Sequence, residues 1–319
     1  MKAPPTISHG RVKLVLVAAL CGCSSDGPAE LTRSSILLIT TDTTRADALG
    51  CYGGPDWATP HLDQLAAEGI QFQQAHSVAP VTLPSHSSMM TGLYPYQHGV
   101  RDNSTFVLPL SAVTLAEVLQ AEGYRTSAVV ASYVLNASFG LGQGFDHYSG
   151  VQSSGSMQGE DQRSAEQVTD EAIEFLHQQP ADQPFFLWVH YFDPHMPYAA
   201  PAAWAERFPG APYDAEIAYM DAQIGRLHEG LAAEELRDET LIAVVADHGE
   251  GLGDHGEATH AMLIYDSVMR VPMLLSAPSV IPTPSVIDDR AFIRVSIGST
   301  WTEERHVDHL WDVIDAHAI

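Results

Sequence analysis

No lysine occurs after position 13: Lys2 and Lys13 are the only two, and every other base in the chain is arginine or histidine. Fifteen lysines and arginines stand against 40 aspartates and glutamates, a formal net charge of −25. This balance argues against nucleic acid as a partner, because phosphate backbones need a basic surface, and it offers polyanionic substrates no long-range attraction. Forty carboxylates far exceed the needs of any one site, so most are solvated surface. Cysteine is scarce, with Cys21, Cys23 and Cys51 only. Long apolar runs are missing too: Leu14 to Leu20 is far too short to cross a bilayer as a mature helix. No internal repeat or long low-complexity tract is present. What remains is ordinary globular material: 319 residues, 45% of them hydrophobic, enough for one large α/β domain or two small ones.

The N-terminus reads as a secretory leader, with Lys2, Arg11 and Lys13 ahead of the apolar run. The run ends Leu20-Cys21-Gly22-Cys23-Ser24-Ser25, which resembles a bacterial lipobox, with cleavage before Cys23 and a lipid on its thiol. The expected organisation is a signal peptide over 1–22, a tether over 23–34, a catalytic domain over 35–280 and a divergent tail over 281–319. The mature protein would be exported and lipid-anchored in the cell envelope, in the periplasm or at the outer membrane. Cys51 would then have no disulfide partner. Loss of the three leader bases takes the formal charge from −25 to −28.

The body of the chain alternates strand and helix signals. Ile36 to Thr41 is a continuous apolar and β-branched run, which reads as a buried strand. Thr59-Pro60 opens a helix that Gly69 stops, and a second helix runs through Leu115, Val118 and Leu119 to Gly123. Further strands are expected around Thr126 to Ala131, Phe185 to Tyr191 and Thr240 to Ala246, and further helices over Ala165 to His177 and Tyr213 to Leu231. Gly150 to Gly159 reads as a flexible loop. Alternation of this kind implies βαβ units and a mostly parallel sheet, where ligands bind beyond the carboxyl ends of the strands.

Polar residues at those ends carry the most weight. Asp42 follows the first strand, Asp193 and His195 follow Phe185–Tyr191, and Asp247 and His248 follow Thr240–Ala246. Asp42, Asp247 and His248 offer two carboxylates and an imidazole, a set suited to Ca, Mg, Mn or Zn. Thr82 could complete the set. It opens the stretch Thr82-Leu-Pro84-Ser85-His86, in which Pro84 suits the first turn of a helix and Gly92 its end, predicting a helix over about Ser85 to Thr91. Free N–H groups and the positive dipole end at its start would face an anion beside Thr82. A hydroxyl bound to a cation gives up its proton more easily and can attack phosphorus or sulfur. His195, His255, His260 and Arg270 could neutralise anionic oxygens or protonate a leaving group. Ser85 is a fallback nucleophile, or a residue that hydrogen-bonds within the helix start.

Five separated motifs resemble the sulfatase family of the alkaline-phosphatase superfamily. They are Leu-Ile-Thr-Thr-Asp42-Thr-Thr-Arg45-Ala-Asp47, Thr59-Pro60-His61-Leu62-Asp63, Thr82-Leu-Pro84-Ser85-His86 with Thr91-Gly92, Asp193-Pro194-His195-Met-Pro197, and Asp247-His248-Gly249-Glu250 through Gly256. The resemblance spans about Ser35 to Pro278. It implies an alkaline-phosphatase-like α/β/α sandwich around a mostly parallel sheet, and a hydrolase of sulfate or related anionic esters. It further implies one divalent cation, calcium by family, held by Asp42, Asp247 and His248, with Thr82 at the nucleophile position and His195 as the substrate-side histidine; His86 and His255 complete the expected catalytic set. The departures matter as much. Sulfatases convert Cys or Ser at the position of Thr82 to formylglycine, and threonine, with a methyl on its Cβ, cannot give that aldehyde by the same oxidation. Thr43 replaces a second carboxylate that often follows the first, His86 stands where arginine is usual, and Ala131-Ser132-Tyr133 brings no catalytic lysine. Superfamily members that keep a threonine nucleophile act on phosphoryl esters, which makes a phosphodiesterase or phosphoryl transferase the alternative, with a non-catalytic pseudo-enzyme as the rival from another class. The family's smaller C-terminal subdomain is expected to be largely missing, through truncation or rearrangement. Ile293 to Ile297 and a helix through Ile314 read as a divergent tail, faintly similar to the end of pyridoxal-phosphate decarboxylases.

Overall fold

A computed structural model describes residues 34–55, 58–103, 105–151, 162–277 and 285–287. The expected leader, nearly all of the tether, most of the Gly150–Gly159 loop, and the tail with Ile293–Ile297 and Ile314 lie outside the described residues.

Eight strands form one mixed, mostly parallel sheet in the order β4-β3-β5-β1-β6-β7-β2-β8. In chain order these are β1 (Ser35–Thr41), β2 (Ile70–Phe72), β3 (Arg125–Val130), β4 (His147–Ser149), β5 (Phe185–Tyr191), β6 (Thr240–Ala246), β7 (Met273–Ser276) and β8 (Ser285–Ile287). β1 lies at the centre, parallel to β5 on one side and β6 on the other, while β7 runs antiparallel to β6 and β2. The helices are α1 (Pro60–Ala67), α2 (Thr82–Thr91), α3 (Pro95–His98), α4 (Leu115–Ala121), α5 (Ala165–His177), α6 (Ala202–Ala205), α7 (Pro212–Ala233) and α8 (Asp266–Met269). No helix among the described residues is long and apolar enough to cross a membrane.

The period-2 alternation of the strands separates two cores. Leu37 and Ile39 of β1, with Phe185, Leu187 and Val189 of β5, pack with α1, α5 and α7 through Leu62, Val168, Phe175, Ile217 and Leu227. Leu38, Phe186 and Trp188 point the other way, to Leu83 and Met90 of α2 and Leu115 and Leu119 of α4. The result is the three-layer α/β/α arrangement that the sequence predicted. Each fully buried large side chain contributes about 1.5–3 kcal/mol relative to exposure, which is why both faces of β5 are apolar. Local signals set the helix starts. Ser164 with Gln167 and Thr114 with Glu117 form capping boxes, and Asp221 of α7 accepts from the N–H groups of His61 and Leu62 at the start of α1.

α2 begins three residues earlier than the sequence suggests. Val81 is still extended, Thr82 is the first helical residue, and Pro84 sits third, where its missing N–H is still harmless in the first turn. Gly92, at φ 66°, ends the helix in the left-handed conformation that glycine adopts without strain.

Candidate active site

Strand register brings the two acids together. Thr41 pairs with Ala246 across the β1–β6 ladder, so the next residues, Asp42 and Asp247, leave the sheet side by side. Backbone bonds hold both: Asp42 N–H donates to Tyr191 O at 2.9 Å and Asp247 N–H to Thr41 O at 3.1 Å. His248 follows, and its Nδ1 lies 3.0 Å from Gly249 O, which leaves Nε2 as the free lone pair. That Nε2 stands 3.4 Å from Asp247 Oδ2 and 3.8 Å from Asp42 Oδ1. Gly249 is required here, since a Cβ would meet Ser267 O at 2.1 Å.

All three side chains are completely buried. Asp42 Oδ1, Asp42 Oδ2 and Asp247 Oδ2 nevertheless have no hydrogen-bond partner. Buried carboxylate oxygens are rarely left so, and one oxygen from each acid and one His248 nitrogen, all within 4.8 Å of one another, fit a divalent cation. Electrostatics agree. Burial, and then the adjacent Asp42 charge, push Asp247 well above the usual carboxylate range. Asp42 lies below that range, because His190, His195 and His248 together outweigh the burial that opposes its charge. Burial, more than any neighbour, lowers His248 to about 4 and keeps it neutral, as a ligand must be.

Thr82 faces this cluster from α2, with Oγ1 3.4 Å from His248 Nε2. The anion site expected at the helix start is narrower than predicted. Leu83 N–H is taken by Asn103 Oδ1 at 2.9 Å, Ser85 N–H bonds back to Val81 O, and Pro84 has none, so only the Thr82 N–H is left from the first turn. Ser85 does not act as a nucleophile-in-waiting: its Oγ donates to Asp247 O at 2.8 Å and ties α2 to the end of β6. Thr43, standing where a second carboxylate was expected, is turned away. Its N–H reaches Asp247 Oδ1 at 3.2 Å and its hydroxyl donates to Pro194 O, with the backbone in the left-handed region at φ 46°.

His86 departs from the catalytic role expected of it. It lies beneath the cluster, fully buried, with Nδ1 2.8 Å from Thr82 O and Nε2 3.0 Å from Thr40 Oγ1. Burial first, then His190, lowers it to about 3. Both nitrogens are engaged, so it supports the Thr82 turn and cannot exchange a proton with a substrate. His190, which the sequence reading missed, sits 3.6 Å from Asp42 Oδ2 while its Nδ1 accepts from Ala131 N–H. An ionisable residue inside the otherwise apolar run Phe185–Tyr191 was the available signal.

Around the mouth, His195 stacks on Phe192 at 4.3 Å and meets His260 at 5.2 Å; His260 lies 4.6 Å from His248. Glu250, fully buried, joins His260 Nδ1 at 3.2 Å and accepts from the Tyr198 hydroxyl at 3.0 Å. Burial opposes a charge on His260, but the bond to Glu250 and its charge prevail and raise it. Two predicted residues fall elsewhere. His255 is exposed, stacked on Tyr265 at 3.7 Å, and no hydrogen bond or ion pair among the described residues links it to Asp42, Thr82, Asp247 or His248. Arg270 donates its Nε to Gln73 O, away from the acids. Burial pushes the one free thiol among the described residues, Cys51, up to about 12.

A mostly parallel α/β/α sheet that gathers Asp, Asp and His at its strand ends, opposite a hydroxyl on a helix start, has the architecture of the alkaline-phosphatase-like class. A crystal structure of yidJ from Bacteroides fragilis shares it, with a TM-score of 0.69 at 26% identity over 83% of this chain and 73% of that one. The chain belongs to the sulfatase family: the Sulfatase family model matches residues 34–303. The uncharacterized sulfatase YidJ of Escherichia coli strain K12 is 26% identical over 78% of this chain. The ulvan-active sulfatase of Formosa agariphila is 28% identical over 84% of it. The chain spans 63% and 62% of the length of these two relatives.

Proposed function

We propose that this protein is a metal-dependent hydrolase of sulfate or related anionic esters in which Thr82, in place of formylglycine, is the nucleophile. The observation that carries the reading is the position of Thr82 Oγ1, 3.4 Å from His248 Nε2 at a helix start, beside three buried carboxylate oxygens that lack partners. Asp42, Asp247 and His248 would hold a divalent cation, with Thr82 adjoining. When bound, such a cation supplies positive charge for the substrate's anionic oxygens and eases ionisation of a neighbouring hydroxyl.

The chain's own residues account for the rest. Thr82 Oγ1 bonds to the sulfur or phosphorus as the bond to the alcohol oxygen breaks, its proton leaving to solvent, and water then cleaves the Thr82 ester, releasing sulfate or phosphate and restoring the hydroxyl; the Thr82 N–H donates to one of the substrate's oxygens. His195 and His260 stand on the open side, where an imidazolium can protonate the departing alcohol oxygen. Glu250 orients His260, and His86 fixes the carbonyl of Thr82 itself. Calcium is the family's usual ion; manganese, magnesium and zinc also suit two carboxylates and an imidazole. Anchoring through a lipid on Cys23, in the cell envelope, belongs to the same proposal.

A phosphoryl ester is the second reading, favoured by Thr82, whose Cβ methyl bars the aldehyde that sulfatases install. The test is turnover of aryl sulfate, phosphate monoester and phosphodiester with each cation, beside Thr82→Ala. Activity that Thr82→Ala abolishes supports the proposal. If no ester turns over with any cation, or the variant is equally active, the catalytic reading fails and the pseudo-enzyme stands.

A further inference from the structure

His195 sits on a loop whose backbone has few anchors of its own. Among the described residues, no backbone-to-backbone hydrogen bond involves Asp193 through Ala199. What holds the segment is side chains. Asp193 Oδ2 accepts from Ala165 N–H at the start of α5, and the Thr43 hydroxyl donates to Pro194 O. Two N–H groups of the loop go to a single acid on α7: Glu216 Oε2 accepts from His195 N–H at 3.0 Å and Glu216 Oε1 from Ala199 N–H at 2.5 Å.

Glu216 is 3% exposed. A carboxylate that deep is retained only where its oxygens are satisfied, and here both are used on one loop. One helical turn earlier on the same helix, Tyr213 accepts from Arg45 N–H at 3.0 Å and donates to Thr43 O at 2.9 Å, holding the turn that follows Asp42. Tyr213 and Glu216, three residues apart, project from neighbouring positions of α7. The start of α7 thus anchors both the Asp42 turn and the His195 loop.

We infer that Glu216 is the positioning residue for His195, clamping the His195 and Ala199 N–H groups so that the imidazole stands at a set place over the Asp42, Asp247 and His248 cluster. It touches no substrate and acts through the loop alone. The activity arm of its test rests on the hydrolase reading; the exchange arm does not.

The control is Asp221, another buried acid of α7, whose carboxylate serves α1 instead. Glu216→Gln replaces one accepting oxygen with an NH₂ that faces an N–H, so one of the two bonds must break. Hydrogen exchange on the intact chain should then be at least about tenfold faster in 193–199 and unchanged in 60–67. Asp221→Asn should do the reverse. Glu216→Asp keeps the carboxyl group but is one methylene short, and should lose the same protection. On whichever ester the wild type turns over, Glu216→Gln should lower kcat by about tenfold or more, the scale expected of a misplaced group. In a His195→Ala background the same change should cost less than about twofold, since the residue it positions is gone. Unchanged exchange in 193–199, or a full additive loss in His195→Ala, overturns the inference. If the wild type turns over no ester, the hydrolase reading fails and the exchange result alone decides the clamp.

Discussion

Neutralising Asp42 should separate the stability of the fold from its response to a cation. Three carboxylate oxygens at the site are buried without partners, and each such atom costs about 1–3 kcal/mol. A cation that satisfies them therefore stabilises the folded chain. At 100 times its Kd the gain is about 2.7 kcal/mol. Melting entropy of about 2.1 cal/mol/K per residue over roughly 240 folded residues is about 0.5 kcal/mol/K, so the wild type should melt about 5 °C higher with saturating cation than with chelator. Asp42→Asn has two effects. It removes a charge that His190, His195 and His248 hold below the usual carboxylate range against burial, so the variant in chelator should melt lower than the wild type. It also removes a ligand, so the 5 °C response should shrink to about 1 °C or less. Differential scanning fluorimetry with calcium, manganese, magnesium and zinc reads both. A wild type that no cation shifts, or an Asp42→Asn variant that keeps the full shift, refutes the assignment of Asp42, Asp247 and His248 as a cation site.

Three further outcomes are expected. Gly249→Ala forces a Cβ to within 2.1 Å of Ser267 O, and should abolish the cation-dependent melting shift as His248 is displaced. His86→Phe leaves Thr40 and the Thr82 carbonyl short of a partner inside the core, and should lower stability by about 2–3 kcal/mol in urea titration while the cation shift persists. Asp221, raised to about 7 by burial, favours its protonated form in the fold; its share of the stability is present below about pH 4 and lost as pH rises toward 7. Asp221→Asn should flatten the decline in urea midpoint across that window, and a slope like the wild type's would show that another group carries it.

Long elements were legible because one signal dominated each of them. Phe185–Tyr191 and Thr240–Ala246 are continuous apolar runs buried on both faces, and Ala165–His177 repeats its apolar positions at helical spacing. β2 and β7 have three and four residues, too few for any period to show. The start of α2 was misread because proline is equally harmless at the first and third helical positions, and only the extended backbone of Val81 distinguishes them. At the site, Asp42, Asp247 and His248 could be read because each follows a strand. His86 illustrates the opposite limit. Its place in a motif suggested chemistry, but its role depends on what packs over it, and Thr40 and Trp188 come from two strands far away in the sequence.

Thr82 poses the sharpest question, since one oxygen is asked both to adjoin the cation and to attack the substrate. Thr82→Val separates these demands, because valine keeps the shape of the 2% exposed side chain and removes only Oγ1. The Asp42, Asp247 and His248 ligands are untouched, so the melting response to cation should persist at half or more of its wild-type size. Turnover, if Oγ1 is the nucleophile, should fall to background, and Thr82→Ser, which restores the hydroxyl but leaves room for it to rotate, should recover part of it. The covalent step adds a distinct signature: quenched enzyme should carry a sulfuryl or phosphoryl group, seen by mass spectrometry on the peptide containing Thr82 and absent from Thr82→Val. A valine variant that still turns over would assign the attack to water, and would reduce Thr82 to a neighbour of the cation.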